Sequence, residues 1–247
     1  MGRRSSTVAR VIAPAAHAPA GLPEPDSEVR RRDDESLAEF AYRRIEDLIV
    51  SMELRPGAWI SEPEICRRLE LGRTPVREAL MRLAAERLLV QRPRRGMIVS
   101  EIDIPGHLMA LETRRALELT LVKAAARRRS SQDIGRLREI VGEFQRLLGR
   151  GKPVPLMRID RAFIGHLIEC SKNPHLSAIL PLYALSRRFW LAYRDRQTRF
   201  AGAQFTQFHI SIGSAVIAGD ERKAEKFAMD FLDHVEAFAK YVAVAVL

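Results

Sequence analysis

Apolar positions recur at helical spacing over most of this chain, and the exceptions are short and localised. Leu37, Ala41, Ile45, Leu48, Ile49 and Met52 share one helical face, which predicts a helix over 36–52. Ser36 with Glu39 three residues on forms a capping box for it, and Pro56-Gly57 supplies the turn that follows. A second helix is expected from Ser61, with Glu64 completing a box, Pro63 in the first turn, and Ile65 and Leu69 inward. A third follows Gly72, with Thr74 as N-cap, Pro75 at the first helical position, and Val76, Leu80 and Leu83 facing a core. The period then changes. Residues 89–92 and 97–100 read as two strands joined by Pro93-Arg94-Arg95-Gly96. Helices two and three are only a few residues apart, so the segment reads as a winged helix-turn-helix.

From residue 103 onward no strand alternation occurs. Helical periods are expected near 104–129, 131–149, 154–171, 174–195, 199–218 and 220–243, broken at Pro153-Val154-Pro155, Asn173-Pro174 and Gly219-Asp220. Six such helices predict an antiparallel bundle with its own core and a pocket between helices. The fold expected is mainly α: a disordered Ala- and Pro-rich tail over 1–33, a winged helix-turn-helix over 34–102, and an all-helical effector-binding and dimerisation domain over 103–247.

Bulk properties change this picture little. The chain has 247 residues, 47% hydrophobic and 29% charged, which suits two compact domains. No apolar run approaches the roughly 20 residues of a bilayer span, so no membrane role is expected. Cys66 and Cys170 stand apart without metal or redox spacing, which fits a reducing cytoplasm. The net charge of +10 points to a polyanion, but residues 1–102 hold 18 arginines against 16 acids, and most of the excess lies beyond them. Placement of arginines, not their total, carries the case for DNA.

That placement is specific. Arg73 and Arg77 lie near the start of the third helix, where arginine can donate two parallel hydrogen bonds to guanine O6 and N7. Thr74 and the helix's first amides suit a phosphate. Arg94 and Arg95 head the wing, and Gly96 lets its backbone approach a duplex without a Cβ in the way. Double-stranded DNA is the expected partner, bound to a palindromic operator by a homodimer.

At this point the sequence resembles the GntR family of bacterial transcription regulators. Leu54-Arg55-Pro56-Gly57, Ser61-Glu62, the unbroken run Arg73 to Leu80, and Arg95-Gly96 carry the likeness, which implies DNA contacts from Arg73, Thr74, Arg77 and Gly96. Gly72 stands where a serine is usual and Pro63 where a polar residue is. The second half resembles the helical FCD effector domain of the FadR-like branch through Arg114 to Glu118, Asp160 with Phe163, Asn173-Pro174 with Leu176, and His209 with Ala218-Gly219-Asp220. Many members of that branch hold a divalent metal with one aspartate and three histidines. Asp160 and His209 match two of those positions, but Ile164 and Phe231 occupy the others, so the expectation is no cofactor, with a divalent metal on the two remaining ligands as the alternative. His166 and His234 fall two or three residues off, which turns a helical side chain elsewhere.

An effector pocket is therefore expected around Arg114, Asp160 and His209, with Arg114 as counter-charge to a small anionic organic acid or acyl compound. Arg187, Arg188 and Arg194 are further candidates for that charge or for a solvated face. The function expected is a ligand-responsive regulator, by default a repressor, and no enzyme. A metal-dependent hydrolase centred on Asp160 and His209 is the alternative. A sequence-indifferent architectural DNA binder is a third.

Overall fold

A computed structural model of the chain describes residues 31–93, 96–149, 153–196 and 202–246. The tail expected over 1–33 lies almost wholly outside the described residues, as do Arg94 and Arg95.

Helix α1 (Leu37–Val50) begins with the anticipated box: Ser36 Oγ accepts from the Glu39 amide, and the Glu39 carboxylate accepts from the Ser36 amide. Strand β1 (Trp59–Ile60) follows, then α2 (Glu62–Leu69) and α3 (Arg73–Ala85). Two local expectations shift. Ser61 is the N-cap of α2 but makes no side-chain cap, so the second box is not formed. The third helix starts two residues early, at Arg73, with Gly72 as N-cap in place of Thr74. Thr74 is thereby inside the first turn.

The wing consists of β2 (Leu89–Arg92) and β3 (Gly96–Val99), paired antiparallel with Arg92 opposite Gly96. Gly96 takes φ +92°, a left-handed conformation that side chains resist, so the turn itself demands glycine. Strand β1 adds to the other edge of β3, with Trp59 opposite Ile98; two residues between turns left no periodicity to read. Ile45, Ile49, Ile65, Val76, Leu83 and Leu88 form the core beneath.

The second half contains α4 (Ile104–Arg128), α5 (Ser131–Leu147), α6 (Pro153–Ser171), α7 (Leu180–Tyr193), α8 (Gly202–Ala218) and α9 (Glu221–Val246). The single helix expected over 174–195 is split. Pro174 opens a 3₁₀ turn through Ile179, α7 starts afresh with Pro181 in its first turn, and a second 3₁₀ turn covers Arg194–Arg196. Phe144, Phe163, Leu167, Ile212 and Phe231 fill the bundle core.

The two halves are joined by more than their linker. Ala184 of α7 is buried in the core beneath the winged helix. Next to it, Arg187 and Arg188 reach out of the bundle into the first domain.

Candidate functional site

Two places carry chemistry. The first is the exposed start of α3. Arg73, Thr74 and Arg77 are solvent-exposed there, and neither arginine has an ion-pair partner among the described residues. Arg82, on the same helix, differs: its Nε donates to Glu86 at 3.1 Å and its guanidinium lies 3.9 Å from the centre of the Tyr42 ring. Arg82 is therefore engaged internally, whereas Arg73 and Arg77 are not. Because Gly72 has no side chain to cap the helix, the first-turn amides have no side-chain acceptor. Exposed Arg92 on β2 and Gly96 at the start of β3 stand beside the wing tip. Arg92 was not singled out from sequence, since as a strand residue it lacks the motif context of its neighbours.

The second place is a small cavity in the bundle, about 20 Å³, enough for about one water molecule. Arg114, Asp160, Arg187, Tyr183 and His107 line it, with Phe189 and Trp190 closing the apolar side. Arg114 and Glu118 sit one turn apart on α4 with side chains 2% exposed each, and Arg114 Nε donates to Glu118 at 2.8 Å. The guanidinium stacks on Tyr183 at 3.6 Å from the ring centre. Burial opposes its charge, but Glu118, Tyr183 and Asp160 outweigh that and hold Arg114 firmly protonated. Its Nη2 has no hydrogen-bond partner. Burial drives the His107 ring down to about 4, helped by the Arg114 charge, so His107 is neutral at pH 7.

Asp160 lies on α6, fully buried. Burial would raise its carboxyl, yet His209, Arg187 and Arg114 hold it below the usual aspartate value. His209 stands behind Asp160 and is not on the cavity wall. Its Nδ1 donates to the Phe205 carbonyl at 2.8 Å, and its Nε2 is 2.8 Å from Asp160 Oδ1. That close approach lacks hydrogen-bond alignment, and both atoms are without a directed partner among the described residues.

These residues do not fit the divalent metal that the family resemblance suggests. The rings of Phe144, Phe163, Phe205 and Phe231 surround His209 with centres 4.3–5.4 Å away. Ile164 is also fully buried at one of the missing ligand positions. A second grouping, Asp133, His166 and Cys170, brings its donor atoms within 4.8 Å of one another. Its atoms are already used: Asp133 Oδ2 accepts from the Ser130 amide at 2.7 Å and Lys172 at 2.6 Å, and His166 Nε2 donates to the Asp133 carbonyl at 2.8 Å. Burial pushes the Cys170 thiol up to about 12, so the thiolate a metal needs is disfavoured. This cluster fastens α5 to α6.

Sequence reasoning placed Arg187, Arg188 and Arg194 as effector counter-charges or solvated residues. The first two are not solvated: both are buried, and Arg187 lines the cavity. Arg187 Nη2 donates to Glu46 Oε1 of α1 at 2.6 Å, and Nη1 to Asp160 Oδ2 at 3.4 Å. Arg188 Nη1 donates to Ser100 Oγ at 2.9 Å, and Nη2 to the Ser100 carbonyl just past β3. Burial lowers the Arg188 value to about 10, which still leaves it charged at neutral pH. Arg194 pairs with Asp195 at 3.4 Å. Glu46 was missed because a glutamate on an amphipathic helix gives no sign of burial; only the partner from α7 puts it inside.

An arginine-headed helix and β-wing joined to a helical bundle define a DNA-binding regulator. Comparison with known families agrees. The model for bacterial regulatory proteins of the gntR family matches residues 37–99, and the FCD domain model matches 109–234. The chain belongs to the GntR family of transcriptional regulators and carries an FCD domain. It is 29% identical over 191 residues to the Nta operon transcriptional regulator of Aminobacter aminovorans, covering 76% of this chain and 86% of that one. It is 25% identical over 213 residues to the regulator LutR of Bacillus subtilis, covering 76% of this chain and 94% of that one. The solved structure of Escherichia coli McbR/YncC has the same fold, with a TM-score of 0.72 at 20% identity over 85% of this chain and 99% of that one. Among the described residues, no helix is long and apolar enough to cross a membrane.

Proposed function

We propose that this DNA-binding regulator is a cytoplasmic repressor that grips a palindromic operator as a homodimer and releases it when a small organic acid or acyl compound enters the bundle. The observation that carries the DNA part is the pair Arg73 and Arg77, exposed and without ion pairs at the head of α3. Two guanidiniums there can read base edges while the uncapped amides of the first turn hold a phosphate. The sequence offers Arg94 and Arg95 as further phosphate contacts.

The effector part rests on Arg114. Its Nη2 is a buried donor without a partner on the cavity wall, and a carbonyl or carboxylate oxygen would satisfy it. Asp160 stands on the same wall and accepts a donor from the ligand; His209 supports Asp160 from behind. The regulator works without metal and performs no catalysis: Ile164 and Phe231 stand at two of the four ligand positions that the resemblance implies, which argues against a metal-dependent hydrolase.

Selection of bound fragments from random duplex DNA tests the first part. Recovery of an inverted repeat is expected, and Arg73→Ala or Arg77→Ala should each weaken binding to it about 10- to 100-fold, about 1–3 kcal/mol, with an unchanged melting temperature. Sedimentation of the complex should give two chains per site. Equal binding of selected and random duplex would overturn the reading. Candidate organic acids are then titrated calorimetrically, and Arg114→Ala should abolish the heat of whichever one binds.

A further inference from the structure

We propose that Arg187 is the positioning residue through which the bundle cavity reports to the recognition helix; this rests on the regulator reading above. Arg187 is shared. One side of its guanidinium faces Asp160 on the cavity wall at 3.4 Å, and the other holds Glu46 of α1 at 2.6 Å. The three side chains are 4%, 1% and 3% exposed, so bulk solvent does not stand in for a lost partner. Glu46 also accepts from Arg161 of α6, so Asp160, Arg187, Glu46 and Arg161 make a continuous row of alternating charge between bundle and winged helix.

From Glu46 the contact continues to α3. Tyr42 lies one turn earlier on the same face of α1, and its hydroxyl donates to Glu86, the C-cap of α3, at 2.6 Å. Arg82 of α3 lies over the Tyr42 ring. The remaining faces of α1 and α3 share one core through Ile45, Ile49, Val76 and Leu83. A displacement of Glu46 therefore moves the helix on which α3 is seated.

The cavity cannot take an organic ligand as it stands, because it holds about one water. A larger occupant must displace wall atoms, and Asp160 and Arg187 are the wall's opposite charges. A buried guanidinium or carboxylate cannot be left alone. When a ligand engages Asp160, Arg187 has two discrete choices: follow the carboxylate and loosen Glu46, or pair wholly with Glu46 and tighten it. Two packed arrangements of one side chain are what a coupling element requires.

The test is a double-mutant cycle in the full chain, with the selected operator duplex as probe and no effector. Asp160→Asn frees Arg187 from the cavity side; Glu46→Gln removes the charge at the other end, and both keep side-chain shape. The D160N change should shift operator Kd about fivefold or more. In the E46Q background that shift should vanish. Hydrogen exchange of the α1 amides, measured without DNA, should change in D160N as well, which a purely local role of Asp160 would not produce. An equal shift in both backgrounds, or unaltered α1 exchange in folded D160N, overturns the relay. If either variant fails to fold, Arg187→Lys replaces it, since a single ammonium cannot span both carboxylates; unchanged α1 exchange in R187K overturns the relay equally. Failure to recover any operator would instead sink the DNA reading, and the exchange measurement still decides the relay.

Discussion

Arg77, Arg82, Arg114 and Arg187 are four arginines on helices, and their neighbours give them four different tasks. Arg77 meets solvent, Arg82 meets a ring and a glutamate on its own domain, Arg114 meets Glu118 inside the bundle, and Arg187 meets two carboxylates from different domains. At the same scale, His107 makes a pH prediction. It stacks on Phe189 with ring centres 4.2 Å apart, and neither ring nitrogen has a hydrogen-bond partner. Its folded value is about 4 against 6.5 for the free side chain. The unfolded chain therefore takes up a proton before the native one does. Stability from this residue is complete above pH 6.5 and is lost as pH falls toward 4, at up to about 1.4 kcal/mol per pH unit. Urea unfolding across this range should show a shallower slope for His107→Phe, which keeps the stack and removes the titration. An identical slope would mean that the ring is hydrated in the native state.

At the scale of the element, two matching motifs behave differently. Ser36 and Ser61 are each followed three residues later by glutamate, yet only Ser36 closes its box. Ser36→Ala should cost about 1 kcal/mol in thermal or urea unfolding, while Ser61→Ala should cost a few tenths at most. The reason lies in the surroundings: α2 is entered directly from β1, whose pairing with β3 sets the backbone at Ser61 before the cap can. The capping pattern in the sequence is the same at both places. The turn after β2 shows the reverse case, in which one residue suffices, because φ +92° at position 96 leaves glycine as the comfortable choice.

At the scale of the whole molecule, α7 ties the helical bundle to the winged helix. Arg187 holds α1, Arg188 holds the end of β3, and Ala184 enters the reader's core. The full chain should therefore unfold in a single calorimetric transition. Arg188→Met removes the charged donor from both Ser100 oxygens, a loss of about 1–3 kcal/mol for hydrogen bonds to a charged group, and should split that transition in two. A single unsplit peak would show that Arg187 and Ala184 suffice to couple the domains.

Periodicity and motif spacing by themselves determined the order of the helices and wing strands, apart from β1 and the break within 174–195, together with the arginine-headed helix and the glycine of the wing; the mismatch at two metal-ligand positions came from the family resemblance. These are legible because each depends on residues within a few positions of one another, where backbone geometry and side-chain spacing are set locally. Only the tertiary structure decided that Glu46 is buried, that Arg187 and Arg188 face the winged helix and not solvent, that β1 joins the wing, and that the cavity beside Asp160 is nearly closed. Each of those depends on groups far apart in the chain, and a charged side chain looks the same in sequence whether water or a distant opposite charge completes it.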